Sequence, residues 1–347
     1  MNFELTEEQK LIAESVDNFI RKDSPVERFR KMRDDSIGYS PVVWKQMGEL
    51  GWLALAFPEE LGGFGGSFVD LMIVLERFGR TLVPEPYVPS IVLAGYALHK
   101  AGTAQQHERF LTPLLAGDTT FAVAYAEAQS RGNPFSVHTT ALRDGAGFTL
   151  QGEKVWVLNG HAANHLLVTA RTGGEPDASD GVSLFIVDPA MPGVTIRKVG
   201  TMDGARAAMV SFDSVQVGPD RLLGKEGAAG PLVEELMDRG AAAACCEGAG
   251  NMQASLEMAL EYLKTREQFG RKIGSFQALQ HRAVDMFVET ELSKSTAILA
   301  AIKVDDPDAD ERRRAVSTAK VQLAQGGAFV TRQAIQLFGG IGVTDEQ

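Results

Sequence analysis

The apolar residues of this chain change their spacing twice, and that change limits the folds open to it. From Thr6 to about Gly117 they recur every three or four positions, as in Leu11, Ile12, Val16 and Phe19 and again in Leu71, Val74, Leu75 and Phe78. That spacing lines one face of an α-helix. Between Phe121 and Val217 the pattern becomes short apolar runs with β-branched residues: Leu166-Leu167-Val168-Thr169-Ala170, Val182-Ser183-Leu184-Phe185-Ile186-Val187 and Met209-Val210-Ser211-Phe212. Such runs read as strands, and Asp144-Gly145-Ala146-Gly147 and Gly173-Gly174-Glu175-Pro176 supply turn or loop chemistry. After Gly230-Pro231, where proline suits a helix start, helical spacing returns through Leu232, Leu236, Met252, Leu256, Leu260 and Leu263 to about Arg266. Two more helices are expected, one over about 276–304 and one from after Asp305-Asp306-Pro307-Asp308 to about Leu337. The expected class is α+β in three blocks: an N-terminal all-helical domain (1–118), a middle β-sheet domain (119–224) and a C-terminal helical bundle (225–347).

A chain of 347 residues with 44% hydrophobic content can bury a large core. No stretch of about 20 uncharged apolar residues occurs, and no basic segment leads into an apolar run at the N-terminus. No membrane span is expected, and the expected location is cytoplasmic. The only cysteines, Cys245 and Cys246, are neighbours in a helical pattern, unable to staple distant segments and without metal-ligand spacing, so no metal is expected. A formal net charge of −11 opposes nucleic-acid binding. An anionic ester can still be held by a few local cations; the basic clusters at 28–33 and 312–314 are interleaved with acids, as on solvated helix faces.

Two stretches carry chemistry. Thr265-Arg266-Glu267-Gln268-Phe269-Gly270-Arg271-Lys272-Ile273-Gly274-Ser275-Phe276-Gln277 reads as a long helix ending at Gly270 with a cation in its last turn. Gln336-Leu337-Phe338-Gly339-Gly340-Ile341-Gly342 reads as a helix end offering bare backbone amides. A fixed guanidinium with open amides suits a pyrophosphate, although each motif alone is also an ordinary cap or turn.

Together these stretches resemble the acyl-CoA dehydrogenases. So do Trp44 to Gly51, Phe57-Pro58-Glu59-Glu60-Leu61-Gly62-Gly63-Phe64-Gly65-Gly66, Leu75-Glu76-Arg77-Phe78-Gly79-Arg80 and the opening Met1-Asn2-Phe3-Glu4-Leu5-Thr6-Glu7-Glu8-Gln9, all in register over nearly the whole chain. In that opening Thr6 is a helix N-cap, and Glu8 or Gln9 can close a capping box. The resemblance implies the family's fold (helical domain, β domain, helical bundle), FAD as cofactor, an acyl-CoA thioester as substrate and electron-transfer flavoprotein as electron acceptor. It places the flavin ring between the β domain and the C-terminal helices of its own subunit, with the adenosine half held by a neighbouring subunit. For that half it implies Arg266 at the pyrophosphate, Phe269 and Gln277 alongside the cofactor, and Gln336, Gly339 and Gly340 donating from the last helix. On the ring side it implies Tyr125, Ala126, Trp156 and Leu158. Family members usually carry Thr-Glu-Pro and Gly-Ser-Asp where this chain has Ala126-Glu127-Ala128-Gln129-Ser130-Arg131-Gly132-Asn133. Ala126 replaces the threonine, Gly132 falls on the substrate-side serine, and Leu158 stands where a hydroxyl usually meets the reactive flavin nitrogen.

Forming an α,β double bond takes a base for the α-proton and an acceptor for the hydride. Most members place the base, a Glu, after the Gly-Gly motif, in a segment that lies past Gln347 here. Others place it on the first bundle helix, where this chain has Asp238-Arg239-Gly240-Ala241 with Gly240 at the base's position. Asp238 and Arg239 are candidate substrate contacts. Glu247, seven residues beyond Gly240 and so near the same helix face, sits among Ala, Cys and Gly and is the candidate catalytic carboxylate. A structural hydrogen bond or interhelix pair is the alternative.

Further runs, among them Tyr262-Leu263-Lys264-Thr265-Arg266 and Phe276-Gln277-Ala278-Leu279-Gln280-His281-Arg282, resemble small subunits of two-component acyl-CoA dehydrogenases, the pimeloyl-CoA dehydrogenase small subunits in particular. The assembly implied is a homotetramer or a heterotetramer with a large subunit. Three readings stay open: an FAD-dependent acyl-CoA dehydrogenase, a non-catalytic half-site subunit completing a partner's FAD site, and a flavin-dependent monooxygenase of the same fold.

Overall fold

A computed structural model describes residues 4–344; Met1, Asn2 and Phe3 of the family-like opening, and 345–347, lie outside the described residues. The expected α+β class is present: in chain order, helices precede and follow an eight-stranded sheet. Helix α1 (Glu7–Lys22) starts at a capping box in which Thr6 Oγ1 accepts from the Gln9 N–H and Gln9 Oε1 accepts from the Thr6 N–H. Gln9 therefore closes the box rather than Glu8. Helices α2 (Val26–Asp34) and α3 (Pro41–Glu49) follow, then α4 (Phe68–Thr81), started by a second box of Ser67 and Asp70. A π-helical segment Val88–Gly95 runs into α5 (Tyr96–Ala101), and the short α6 (Ala104–Gln106) and α7 (Thr112–Leu115) lead to the sheet.

The packing divides the described chain into two units. One comprises residues up to 29, 67–83 and from 241 on. It holds α1, α4, most of α8 (Gly230–Thr265), α9 (Gln277–Lys303) and α10 (Ala309–Phe338). Its apolar core joins Met252, Leu256 and Leu263 of α8 to Met286 of α9 and Val330 and Leu337 of α10. The small-residue stretch of α8 has a packing reason. A Cβ on Gly79 of α4 would lie 1.9 Å from the Glu247 carbonyl oxygen, and one on Gly250 of α8 would lie 1.8 Å from that of Glu76. Two backbones touch there, which only glycine permits.

The other unit, residues 30–66 and 84–240, holds the sheet. Its strands are β1 (Phe121–Ala124), β2 (Thr140–Asp144), β3 (Gly147–Leu158), β4 (His165–Arg171), β5 (Val182–Val187), β6 (Val194–Gly200), β7 (Arg206–Val217) and β8 (Leu222–Leu223). They lie in the order β6-β7-β3-β2-β4-β5-β8, with β1 parallel to β4. The strand runs read from the sequence become β4, β5 and β7. β5 is buried along its whole length, as a continuous apolar run should be. Phe148, Leu150, Val168, Phe185, Val210 and Phe212 form the centre of the core, each large side chain contributing roughly 1.5–3 kcal/mol by leaving water.

Candidate functional site

On the sheet side, Trp156 and Leu158 owe their position to a β-bulge. β3 pairs Lys154 with Val210 and then Val157 with Ala208, three steps against two on β7. The extra residue inverts the alternation. Phe148, Leu150 and Lys154 point inward, but after the bulge Val157 takes the inward place while Trp156 and Leu158 turn outward, 55% and 50% exposed. Trp156 has φ 53°, a conformation uncommon for a bulky residue. Asn159, just past the strand, is buried with its Nδ2 unpartnered among the described residues.

Tyr125 and Ala126 continue from the end of β1, both half-buried, and burial raises the Tyr125 hydroxyl above its usual range. The Ala126 carbonyl accepts from the Val155 N–H at 2.8 Å, stitching this segment to the bulge. Gly132 is exposed on the loop that returns to β2, in a left-handed conformation (φ 92°).

Beneath these residues lies a pair that sequence reasoning did not assign. Glu127 and Lys154 are buried, 4% and 0% exposed at their side chains, with Nζ 2.7 Å from Oε1. The carboxylate also accepts from the backbone N–H groups of Thr139 (3.0 Å) and His138 (2.8 Å) and from Gln129 Nε2 (2.7 Å), and Lys154 donates to Thr169 Oγ1 at 2.8 Å. Burial alone would raise the Glu127 pKa; the Lys154 ammonium, its hydrogen bond and those of Gln129 and Thr139 outweigh it and hold the group at about 2. Burial brings Lys154 down to about 8 against the pull of Glu127. The signal was visible in outline, as a lysine at an inward position of a strand.

The other cluster lies at one end of the helical unit. The expectation of a helix running to Gly270 is corrected: α8 ends at Thr265, so Arg266 lies just past its last turn. Glu267–Gln268 (β9) and Arg271–Lys272 (β10) then form a hairpin. Its two central residues, Phe269 (φ 54°) and Gly270 (φ 75°), both have positive φ, the signature of a type I′ turn that matches strand twist. Phe269 is 90% exposed at the tip. The exposed Arg266 guanidinium has no hydrogen-bond or ion-pair partner among the described residues. Tyr262 of α8 and Phe338 of α10 pack with ring centroids 4.6 Å apart, so the hairpin and the Gly339-Gly340 turn share one end of the bundle. Of the expected open amides, that of Gly339 is already used, donating to the Gln336 carbonyl to close α10. Gly340 faces open space, Gln336 is exposed, and Gln277 is exposed as the first residue of α9.

The remaining candidates lie on α8. Glu247 keeps some exposed surface while protein atoms crowd its carboxyl, and burial pushes it up to about 7. It has no hydrogen bond or ion pair among the described residues. Arg239 is buried with its guanidinium 3.5 Å over the Tyr96 ring, and the Tyr96 hydroxyl donates to Glu235 at 2.7 Å. Asp238 beside it is half-buried. Neither a cluster of potential metal ligands nor a helix long and apolar enough to cross a membrane occurs among the described residues.

Residues 6–118 match the family described as "Acyl-CoA dehydrogenase, N-terminal domain", 122–215 its middle domain and 230–347 its C-terminal domain. The chain is 31% identical to "Probable acyl-CoA dehydrogenase YngJ" of Bacillus subtilis, over 100% of this chain and 91% of that protein. Butyryl-CoA dehydrogenase from Megasphaera elsdenii superposes with a TM-score of 0.90 at 26% identity, covering 100% of this chain and 92% of that one. A chain of the ChsE4-ChsE5 complex from Mycobacterium tuberculosis does so with a TM-score of 0.88 at 27% identity, covering 99% and 90%.

Proposed function

The chain belongs to the acyl-CoA dehydrogenase family of flavoprotein oxidoreductases acting on CH–CH groups, and on that premise we propose that it takes part in FAD-dependent α,β-dehydrogenation of an acyl-CoA thioester as the smaller of two unlike subunits. The observation that carries the FAD assignment is the exposed Arg266 guanidinium, unpartnered among the described residues and three positions before the projecting Phe269 ring, at the same bundle end as Gly340. A planar cation, an aromatic face and a bare backbone fit a dinucleotide's pyrophosphate and adjoining rings. On the sheet unit, taken by itself, the outward indole of Trp156 and the Nδ2 of buried Asn159, unpartnered among the described residues, fit a flat heterocycle with polar edges.

FAD, when bound, supplies the hydride acceptor. This chain's own residues would do the rest of the holding. Arg266 would neutralise the phosphate charge of a cofactor half held at the bundle end, and on the sheet unit Trp156 would wall a flavin ring, with Ala126 and Leu158 offering apolar contact where hydroxyls would otherwise donate. Glu247 is the carboxyl suited to hold and move a proton near neutral pH, since burial already places it at about 7.

Missing polar groups favour a subunit that completes a partner's site over one that works alone, and an exposed face favours assembly as such. Ala126, Leu158 and Gly240 each lack the polar group that the resemblance implies at that position. An apolar stripe on α9, Val284, Val288 and Leu292 with Phe287 beside it, is exposed, as an assembly face would be. A heterotetramer with a large subunit, electron-transfer flavoprotein as acceptor and a cytoplasmic setting that keeps the thiols of Cys245 and Cys246 free belong to the same reading.

The test is expression of the chain alone, with the visible spectrum, flavin per chain after denaturation and mass of the intact assembly. Little flavin alone, and about one FAD per site with acyl-CoA bleaching once a large subunit is co-expressed, is expected. Full flavin content and turnover by the lone chain as a homotetramer would refute the subunit assignment.

A further inference from the structure

We propose that Glu127 and Lys154 are positioning residues for the flavin-ring side of the site, their buried pair holding the segment at Ala126, the loop that carries Gly132 and the bulge that turns Trp156 outward in one fixed arrangement. Three backbone segments converge on this pair. The first is the continuation of β1, where Glu127 itself sits two residues beyond Tyr125. The second is the return into β2, whose His138 and Thr139 N–H groups both donate to the Glu127 carboxylate. The third is β3, which supplies Lys154 immediately before the bulge.

The geometry is that of a clasp. The Glu127 side chain spans from the start of the 127–139 loop to its end, and Gln129 from within the loop bonds both the carboxylate and the Ser136 carbonyl. Ser130 Oγ accepts from the Glu127 N–H and donates to the Glu127 carbonyl, both at 2.7 Å, fixing the first turn of the loop. Both carboxylate oxygens are thus satisfied, Oε1 by Lys154 and Thr139 and Oε2 by Gln129 and His138. The lysine is anchored as fully: beyond Glu127 its Nζ reaches Thr169 Oγ1 of β4 at 2.8 Å and the Tyr125 carbonyl at 3.5 Å.

A buried charge pair with good geometry adds little net stability over apolar residues of the same shape, so its best-attested use is to specify an arrangement. Here the arrangement specified is the site. The residue after Lys154, Val155, donates to the Ala126 carbonyl, and the next, Trp156, takes the left-handed conformation. A β3 strand without this anchor could slip by one residue at the bulge, which would turn Trp156 inward and Val157 out.

The inference rests on the flavin reading for the ligand but not for its test. The variant is Glu127→Gln with Lys154→Met, which removes both charges and leaves no ion unpaired, compared with the wild-type protein in the same assembly. Amide exchange is read at Val155 and, as an internal reference, along β5. FAD affinity is read by flavin fluorescence titration. The expected result is exchange at Val155 at least tenfold faster with β5 unchanged, and FAD binding at least tenfold weaker.

Wild-type exchange at Val155 with wild-type affinity would overturn the proposal, and so would equal acceleration along β5, which marks general loosening. If the double variant does not fold, Thr169→Val removes one anchor of Lys154 without touching a charge. A change of at least threefold in Val155 exchange is then expected, and none would overturn it. A wild-type assembly that takes up no FAD would defeat the cofactor assignment instead, while exchange at Val155 would still decide the clasp.

Discussion

Replacing Glu247 by glutamine should stabilise this protein, and more so the higher the pH. The side chain keeps its length and nearly its helix propensity, but the variant has no carboxyl to ionise. In the folded protein, burial without a partner among the described residues moves that carboxyl from 4.5 to about 7. The folded state therefore keeps its proton across a range in which the unfolded chain has released it, and stability falls as pH rises from 4.5 through 7. From the two pKa values the loss is about 1 kcal/mol at pH 5 and about 3 kcal/mol at pH 8.5. Unfolding entropy of about 2.1 cal/mol/K per residue converts the larger figure to about 4 °C for a chain of 347 residues. Calorimetric melting temperatures of Glu247→Gln and wild type, at equal concentration and cofactor loading, should differ by about 1 °C at pH 5 and about 4 °C at pH 8.5, the variant melting higher. A difference independent of pH, or a variant that melts lower at pH 8.5, would refute the reasoning, because it would mean that the native carboxylate is ionised and paired.

Three further outcomes follow from other parts of the molecule. Phe269→Asn should leave the melting temperature unchanged or slightly raised, since asparagine tolerates the left-handed turn position better than phenylalanine, while Arg266→Ala should leave it unchanged; both should lower the FAD retained on gel filtration by the assembly co-expressed with a large subunit at least tenfold, and unchanged retention would count against the pyrophosphate assignment. The Glu127 carboxyl, held at about 2 against 4.5 unfolded, contributes stability above pH 4.5 that is lost as pH falls toward 2. Between pH 5 and pH 3 the wild type should lose about 2 kcal/mol more than the Glu127→Gln, Lys154→Met variant in urea titrations, and parallel curves would show the pair uncharged. Gly79→Ala should destabilise by about 3 kcal/mol through its clash with the Glu247 carbonyl, and a melting temperature within 1 °C of wild type would mean that α4 can move away.

The class of fold and the helical candidates were legible in the sequence because regular structure repeats. Leu256, Leu260 and Leu263 declare a helix by spacing alone, and α9 and α10 began and ended within a few residues of where their apolar pattern did. The site was legible as motifs but not as geometry. Trp156 occupies a position that strict alternation would bury, since Phe148, Leu150 and Lys154 are inward, and only the bulge, set by pairing with β7, reverses it. The hairpin at Phe269 was hidden for a related reason: the run from Thr265 to Gly270 looks like a helix with a glycine cap until the pairing of Glu267 with Lys272 is seen. Glu127 and Lys154 lie 27 positions apart, and no local pattern connects them. Long-range pairing decides these features, and single-sequence periodicity does not carry it.

The seating of Gly79 on the Glu247 carbonyl and of Gly250 on the Glu76 carbonyl bears on how the molecule can move. Helices that pack through side chains can slide, because rotamers reshuffle along the seam. Helices locked backbone to backbone have no such lubricant. Each carbonyl is seated against the other helix's bare Cα, and a shift of one residue along either axis would bring a Cβ into the seat. α4 and this part of α8 should therefore behave as one solid strut through the catalytic cycle, with the slowest-exchanging amides of the helical unit.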